Sequence, residues 1–204
     1  MSLKVGGIVL CGGESRRMGQ PKAWLPFGDE LMLQRVARIL GEVVDPVVVV
    51  AAPGQDVPPL PTSIEIARDE NKGRGPLEGL AAGLRWMSAL GIDAAYATST
   101  DAPFLRPAFV QRVIDLLGEF AIAVPYVHET HHPLAAVYRA GVLADVDRLL
   151  ATNRLRPIFL FEGLPTREIP AAELESADPG LRSLLNLNSP EDYEQALREL
   201  GGRQ

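Results

Sequence analysis

The sequence predicts an α/β fold of three layers, α/β/α, with a mostly parallel, doubly wound sheet between two layers of helices. Three observations predict it. Apolar runs of strand length alternate along the chain with segments of helical period. Those runs are nearly continuous in Val, Ile and Ala, which marks strands covered on both faces. After Pro125 the pattern loosens, which predicts a mixed C-terminal edge.

Val5 to Cys11 supplies the first strand, and Val47 to Ala51, Ile64 to Ala67, Ala94 to Thr98 and Ile122 to Pro125 supply four more. Helical spacing covers about Leu31 to Leu40, Leu77 to Leu90, Pro107 to Leu117 and Gly141 to Ala151. Right-handed crossovers through these helices make neighbouring strands parallel. Pro53 to Pro61, with four prolines, reads as a surface loop. Leu134 to Tyr138, Ile158 to Phe161 and Thr166 to Ile169 are expected at the antiparallel or mixed edge, and Leu184 to Leu187 as a late strand. Ser189, Pro190, Glu191 and Asp192 supply an N-cap, a proline at the first helical position and acids in the first turn, which predicts a final helix.

At 204 residues the chain is expected to form one domain over 1–204. Its 47% hydrophobic and 23% charged residues suit a folded protein. The formal net charge of −6 repels nucleic acid and anionic membrane, so neither is expected as a partner, and a phosphate ligand must be drawn by a local basic cluster. Cys11 is the sole cysteine, which excludes an intramolecular disulfide and a cysteine metal site and favours a reducing compartment. The N-terminal apolar stretch is short and breaks into glycines, more like a buried strand than a signal peptide. No stretch approaches the roughly 18 apolar residues of a membrane span, so a cytoplasmic location is expected.

The chemistry concentrates in the loop after the first strand, Leu10-Cys11-Gly12-Gly13-Glu14-Ser15-Arg16-Arg17-Met18-Gly19-Gln20-Pro21-Lys22. An open α/β sheet binds ligands beyond the carboxyl ends of its strands. Gly12, Gly13 and Gly19 permit sharp turns and close backbone approach, with N–H groups able to cradle phosphate oxygens. Arg16, Arg17 and Lys22 add positive charge to an otherwise acidic chain. Neither the P-loop pattern nor the dinucleotide Gly-x-Gly-x-x-Gly is present. A glycine turn with solvated arginines is the plain alternative to a polyphosphate site.

Leu-x-Gly-Gly-x-x-Arg-Arg-Met-Gly-x-x-Lys resembles the signature loop of the molybdenum cofactor guanylyltransferases, MobA-like nucleotidyltransferases with the Rossmann-like nucleotide-diphospho-sugar transferase fold. Arg74 to Gly79 resembles that family's Gly-Pro-Leu-x-Gly turn, Thr100 to Pro103 its Asp-x-Pro metal motif, and Asn186 to Asp192 its late Asn-x-Asn segment. The resemblance implies that Leu10, Cys11, Gly12 and Gly13 hold the nucleotide, with Asp69 on it. It implies that Lys22 contacts phosphate, with Arg17 beside it in the catalytic set, and that Asp101 ligates Mg²⁺. GTP and molybdopterin are the implied substrates, and contact with a molybdoenzyme or chaperone is compatible with them.

Physical chemistry leaves alternatives open at several of these positions. Asp101 follows an apolar strand and suits Mg²⁺, which takes one or two carboxylates plus phosphate and water oxygens, yet such an Asp also caps turns. Asp69 can be a solvated loop acid, Asn186 and Asn188 can satisfy a turn, and Asn188 can serve as a second metal ligand. His131 and His132 resemble the family's His-Pro segment near the pterin, where a zinc site is not expected. Three features depart from the family pattern: Cys11 replaces an alanine, the loop before Lys22 is one residue short, and Ala51-Ala52-Pro53 stands where relatives carry a nucleotide-contacting asparagine. Cytidylyl transfer on the same fold, and a non-catalytic nucleotide-binding adaptor, are the competing functions.

Overall fold

The computed structural model describes residues 3–12, 20–69 and 74–201. The chain enters through β1 (Val5–Leu10), turns at Lys22–Trp24 and forms a small antiparallel ribbon of β2 (Pro26–Phe27) and β3 (Glu30–Leu31). Next come α1 (Met32–Gly41), β4 (Val47–Ala51), β5 (Ile64–Arg68), α2 (Pro76–Ala89), β6 (Ala94–Ser99), α3 (Pro107–Asp115) and β7 (Ile122–Val127). The second half adds β8 (Thr130–His131), β9 (Ala135–Arg139), α4 (Leu143–Ala151), α5 (Ile158–Phe161), β10 (Thr166–Pro170), α6 (Ala171–Leu174) and α7 (Pro190–Gly201).

Seven strands form the main path in the order β10-β7-β9-β6-β1-β4-β5, with β8 paired to β7. β1 lies parallel to both β4 and β6, and β5 is parallel to β4. β9 runs antiparallel between β6 and β7, whereas β10 returns parallel to β7, so the mixed edge has one reversed strand at its centre. Alternate residues of β1 serve opposite cores. Val9 packs with Leu33, Val36 and Leu40 of α1 and Phe109 and Val113 of α3, while Ile8 and Leu10 pack with Leu77, Leu80 and Leu84 of α2 and Val146 of α4. Helices therefore cover both faces, as the unbroken apolar strands require.

Two glycines set how closely α2 lies on β1. A Cβ at Gly83 would stand 2.7 Å from Ile8 Cγ2, and one at Gly79 would stand 3.1 Å from Leu10 Cδ2. This contact brings the first turn of α2 beside the carboxyl end of β1.

Two expectations are corrected. Ile158–Phe161 is a short helix, not a strand: it starts behind Pro157, and Leu160 faces the core beside α4. Leu184 to Leu187 does not join the sheet. Arg182–Leu184 is a 3-10 turn, and Leu187 is buried with Leu25, Phe27, Met32 and Ala196 in a third cluster beneath the ribbon and α7. Pro53 to Pro61 is loop, and α7 begins at Pro190 with reciprocal bonds between Ser189 and Asp192. Among the described residues no helix is long and apolar enough to cross a membrane.

Candidate active site

Because β4, β1, β6 and β5 are parallel, their carboxyl ends open on one crevice, and backbone bonds hold the residues that follow in line. Cys11 N–H donates to the Val50 carbonyl at 2.8 Å, Asp69 N–H to Ala51 at 3.1 Å and Thr100 N–H to Leu10 at 3.1 Å. Leu187 N–H donates to the Asp101 carbonyl at 2.9 Å, which brings Asn186 and Asn188 from the far end of the chain to the same place. Two adjoining cavities result. The smaller, about 220 Å³, is lined by Cys11, Lys22 and Thr100, and the larger, about 1000 Å³, by Asp69, Arg74, Pro76, Leu134 and Asn186. Leu10, Gly12, Gln55, Ser99 and Asp101 line both.

At the smaller end Asp101 is held by both oxygens. Oδ1 accepts from Ser99 Oγ at 2.5 Å, and Oδ2 accepts from Lys22 Nζ at 2.7 Å. Lys22 Nζ also donates to Asn188 Oδ1 at 3.2 Å. A carboxylate and an amide oxygen thus converge on one cation, here an ammonium standing where a hard metal ion would find the oxygen donors it prefers. No group of three or more His, Cys, Asp or Glu side chains able to hold a metal occurs among the described residues. A cation gripped by this pair would complete its shell with substrate oxygens and water.

At the larger end the Asp69 carboxylate has unused capacity. Its Oδ1 is buried with no hydrogen-bond partner among the described residues, and Oδ2 lies 3.8 Å from where a Cβ on Gly12 would project. Burial raises the Asp69 pKa, the charge of Glu78 adds to the rise, and Arg68 opposes it. Glu78 is itself buried, with Arg74 Nη1 donating to it at 3.3 Å. Gly75 takes φ +74°, which a side chain would strain, and Pro76 opens α2. The Arg74 to Gly79 segment thereby has a local reason for its composition.

A family model for the MobA-like NTP transferase domain matches residues 7–166. The chain belongs to that family. Over 195 residues it is 35% identical to a probable molybdenum cofactor guanylyltransferase of Mycobacterium avium (strain 104), covering 94% of each chain. The crystal structure of molybdopterin-guanine dinucleotide biosynthesis protein A from Archaeoglobus fulgidus is similar in fold, with a TM-score of 0.79 at 22% identity over 98% of this chain and 100% of that one. A Mycobacterium tuberculosis H37Rv protein solved in complex with manganese is similar too, with a TM-score of 0.60 at 17% identity, covering 96% and 98%.

Within this MobA-like framework the crevice gathers Leu10, Cys11, Gly12, Lys22, Asp69 and Asp101. Gly13, Arg16 and Arg17 lie outside the described residues. Cys11 fits as a small buried residue, and burial pushes its thiol pKa up, away from a reactive thiolate. His131 packs between Tyr126 and Phe161, with ring centroids at 4.7 and 5.0 Å and the rings tilted by 43°, and its Nε2 lies 2.6 Å from Glu168 Oε1. His132 is half-buried, and burial, with His128 and His131 nearby, lowers its imidazole pKa. Two residues on, Leu134 reaches the larger cavity. Sequence reasoning missed Ser99, Glu78 and Gln55. Ser99 stands two residues before Asp101 as a visible signal, whereas nothing in the proline-rich loop singles out Gln55.

Proposed function

We propose that the protein transfers GMP from GTP to the terminal phosphate of molybdopterin and releases pyrophosphate, forming molybdopterin guanine dinucleotide. The observation that carries the reading is the crevice with two chemically distinct ends: a carboxylate whose Oδ2 lies toward Gly12 and whose Oδ1 has no partner among the described residues, and a lysine–aspartate–asparagine cluster about the smaller cavity. Guanine offers two adjacent donors, N1–H and the 2-amino group, to a carboxylate, which can only accept when ionised. Adenine presents a ring acceptor at N1, and cytosine presents one amino donor beside an acceptor. Asp69 therefore favours guanine and disfavours cytidylyl transfer on this site. The name of the Mycobacterium avium relative agrees with this choice.

In this reading Leu10, Cys11, Gly12 and Gly13 carry the nucleotide on their backbone, and Asp69 reads the base. Lys22 and Arg17 neutralise the charge that builds on the α-phosphoryl and leaving oxygens. Asp101, oriented by Ser99, holds a divalent cation with Asn188, and we take that cation to be Mg²⁺. The cation's contribution is to polarise and shield phosphate oxygens. The acceptor phosphate is already ionised at neutral pH, so the chain needs no general base, and its task is to align two anions. A non-catalytic adaptor would be expected to lose Lys22 or Asp101, and both are present. The reading takes residues 1–204 as one nucleotidyltransferase domain acting in the cytoplasm, with molybdopterin and GTP as substrates and a molybdoenzyme or chaperone as recipient of the product. Incubation with molybdopterin, Mg²⁺ and each of the four nucleoside triphosphates tests it: pyrophosphate should appear with GTP, and its absence there would refute it.

A further inference from the structure

Gln55 is fixed more firmly than a loop side chain ordinarily is, and its amide still has capacity for a ligand. Its Nε2 donates to the Cys11 carbonyl at 2.7 Å, and its Oε1 accepts from Ala52 N–H at 3.1 Å. The turn that carries it is held from β5, because Arg68 Nη1 donates to the Ala52 carbonyl at 3.0 Å and to the Gln55 carbonyl at 2.6 Å. The carboxamide is thereby pinned between the ends of β1 and β4, and its carrier turn to the end of β5. A primary amide has two N–H donors and an oxygen able to accept twice. Nε2 donates to the Cys11 carbonyl and, at 3.6 Å, weakly to Cys11 Sγ as well, and one acceptance by Oε1 serves Ala52. One acceptor position remains on the same rigid group, and its weakly committed donor is the one held only by sulfur.

The place of that group narrows what it binds. Gln55 lines both cavities, with Asp69 belonging to the larger and Lys22 to the smaller. In a nucleotide lying along the crevice, the sugar joins the base to the phosphates, so the sugar crosses the junction. A sugar hydroxyl can donate to the unused acceptor position and, as a stronger acceptor than sulfur, can take over the weakly held N–H. We propose that Gln55 is the ribose-reading residue of this site, hydrogen-bonded to a sugar hydroxyl of the bound ribonucleotide and selecting it over a deoxynucleotide. The assignment rests on the guanylyl-transfer reading above.

The test measures binding of GTP, 2′-deoxy-GTP and 3′-deoxy-GTP, with Mg²⁺ present, by the intact chain and by Gln55→Ala and Gln55→Met. Met keeps the length and volume of the side chain but makes no comparable bonds. The intact chain should bind GTP about three- to tenfold more tightly than one of the deoxy analogues, the range expected for one hydrogen bond. Both variants should lose that preference, with GTP affinity falling to the level of the deoxy analogue and the analogue's own affinity nearly unchanged. A purely structural brace would weaken all three ligands together, and that result would overturn the assignment. GTP bound by the intact chain with no loss from either missing hydroxyl would overturn it as well, while leaving guanylyl transfer standing. Failure of the intact chain to bind any of the three would overturn both.

Discussion

Asp69 bears the clearest electrostatic cost in the crevice, and the cost has a sign that can be checked. Burial and Glu78 raise its pKa above the ordinary 3.8. A carboxyl whose pKa is higher in the folded state contributes stability that is fully present below the unfolded value. That contribution is lost as pH rises through the folded value. At neutral pH the ionised Asp69 therefore destabilises the ligand-free fold. Asp69→Asn should raise the melting temperature near pH 7, give no gain near pH 3, and weaken GTP binding. A pH-independent gain in thermal scans would show that burial of the charge is not the cause. Across from Asp69, alanine at position 12 meets nothing nearer than 3.8 Å among the described residues, so Gly12→Ala should fold normally. Its methyl points toward the Asp69 carboxylate and should crowd a base bound there, lowering the ratio of GTP to CTP affinity. An unchanged ratio in competition binding would refute base selection at Gly12.

The contact of α2 with β1 is where element packing meets the crevice. Gly83→Ala gains about 1 kcal/mol of helix propensity, but its Cβ would stand 2.7 Å from Ile8, inside a packed core. Overpacking costs about 1–3 kcal/mol, so the variant should unfold at lower urea concentration. Gly79→Ala meets Leu10 at 3.1 Å, a contact that small shifts relieve, and should cost less stability. Leu10 lines both cavities, so Gly79→Ala should instead weaken nucleotide binding more than Gly83→Ala does; the reverse order in both measurements would contradict this division. Neither close approach is visible in the sequence, where both glycines simply interrupt a helical pattern. Strands such as Val47–Ala51 were legible to the residue because an unbroken β-branched run buried on both faces has one reading. Ile158–Phe161 was not, since four apolar residues fit either a strand or a helical turn, and only packing against α4 decides. The site followed the same rule. Asp69 and Asp101 were legible as crevice residues because they sit where strands end, whereas Gln55 is placed there by contacts made across three strand ends that no local pattern records.

At the scale of the whole molecule, binding is expected to be linked to folding stability through the Lys22–Asp101–Asn188 cluster. In the ligand-free protein the Lys22 ammonium occupies the point on which Asp101 Oδ2 and Asn188 Oδ1 converge. A metal ion arriving alone must displace that ammonium and leave it without the Asp101 carboxylate. Arriving with a triphosphate, the ion would be held by the carboxylate while Lys22 would gain a phosphate oxygen. Divalent cation and GTP should therefore bind with positive coupling, which a thermal-shift experiment can measure as a stabilisation larger with both than the sum of each alone. A ligand at one hundred times its dissociation constant adds about 2.7 kcal/mol, which for a chain of this size shifts the melting temperature by roughly 5–10 °C. Asp101→Ala should abolish the metal-dependent part of the shift and the transfer activity, while a smaller effect of GTP alone survives. Chelating the metal in the unmodified protein should give the same residual shift. Lys22→Ala should reduce the coupling from the other side: the metal alone then binds more readily, and only the part of the GTP effect that comes from direct metal–phosphate contact remains. If Asp101 served only as the structural partner of Lys22, either variant would lower the melting temperature of the free protein and leave the coupling intact.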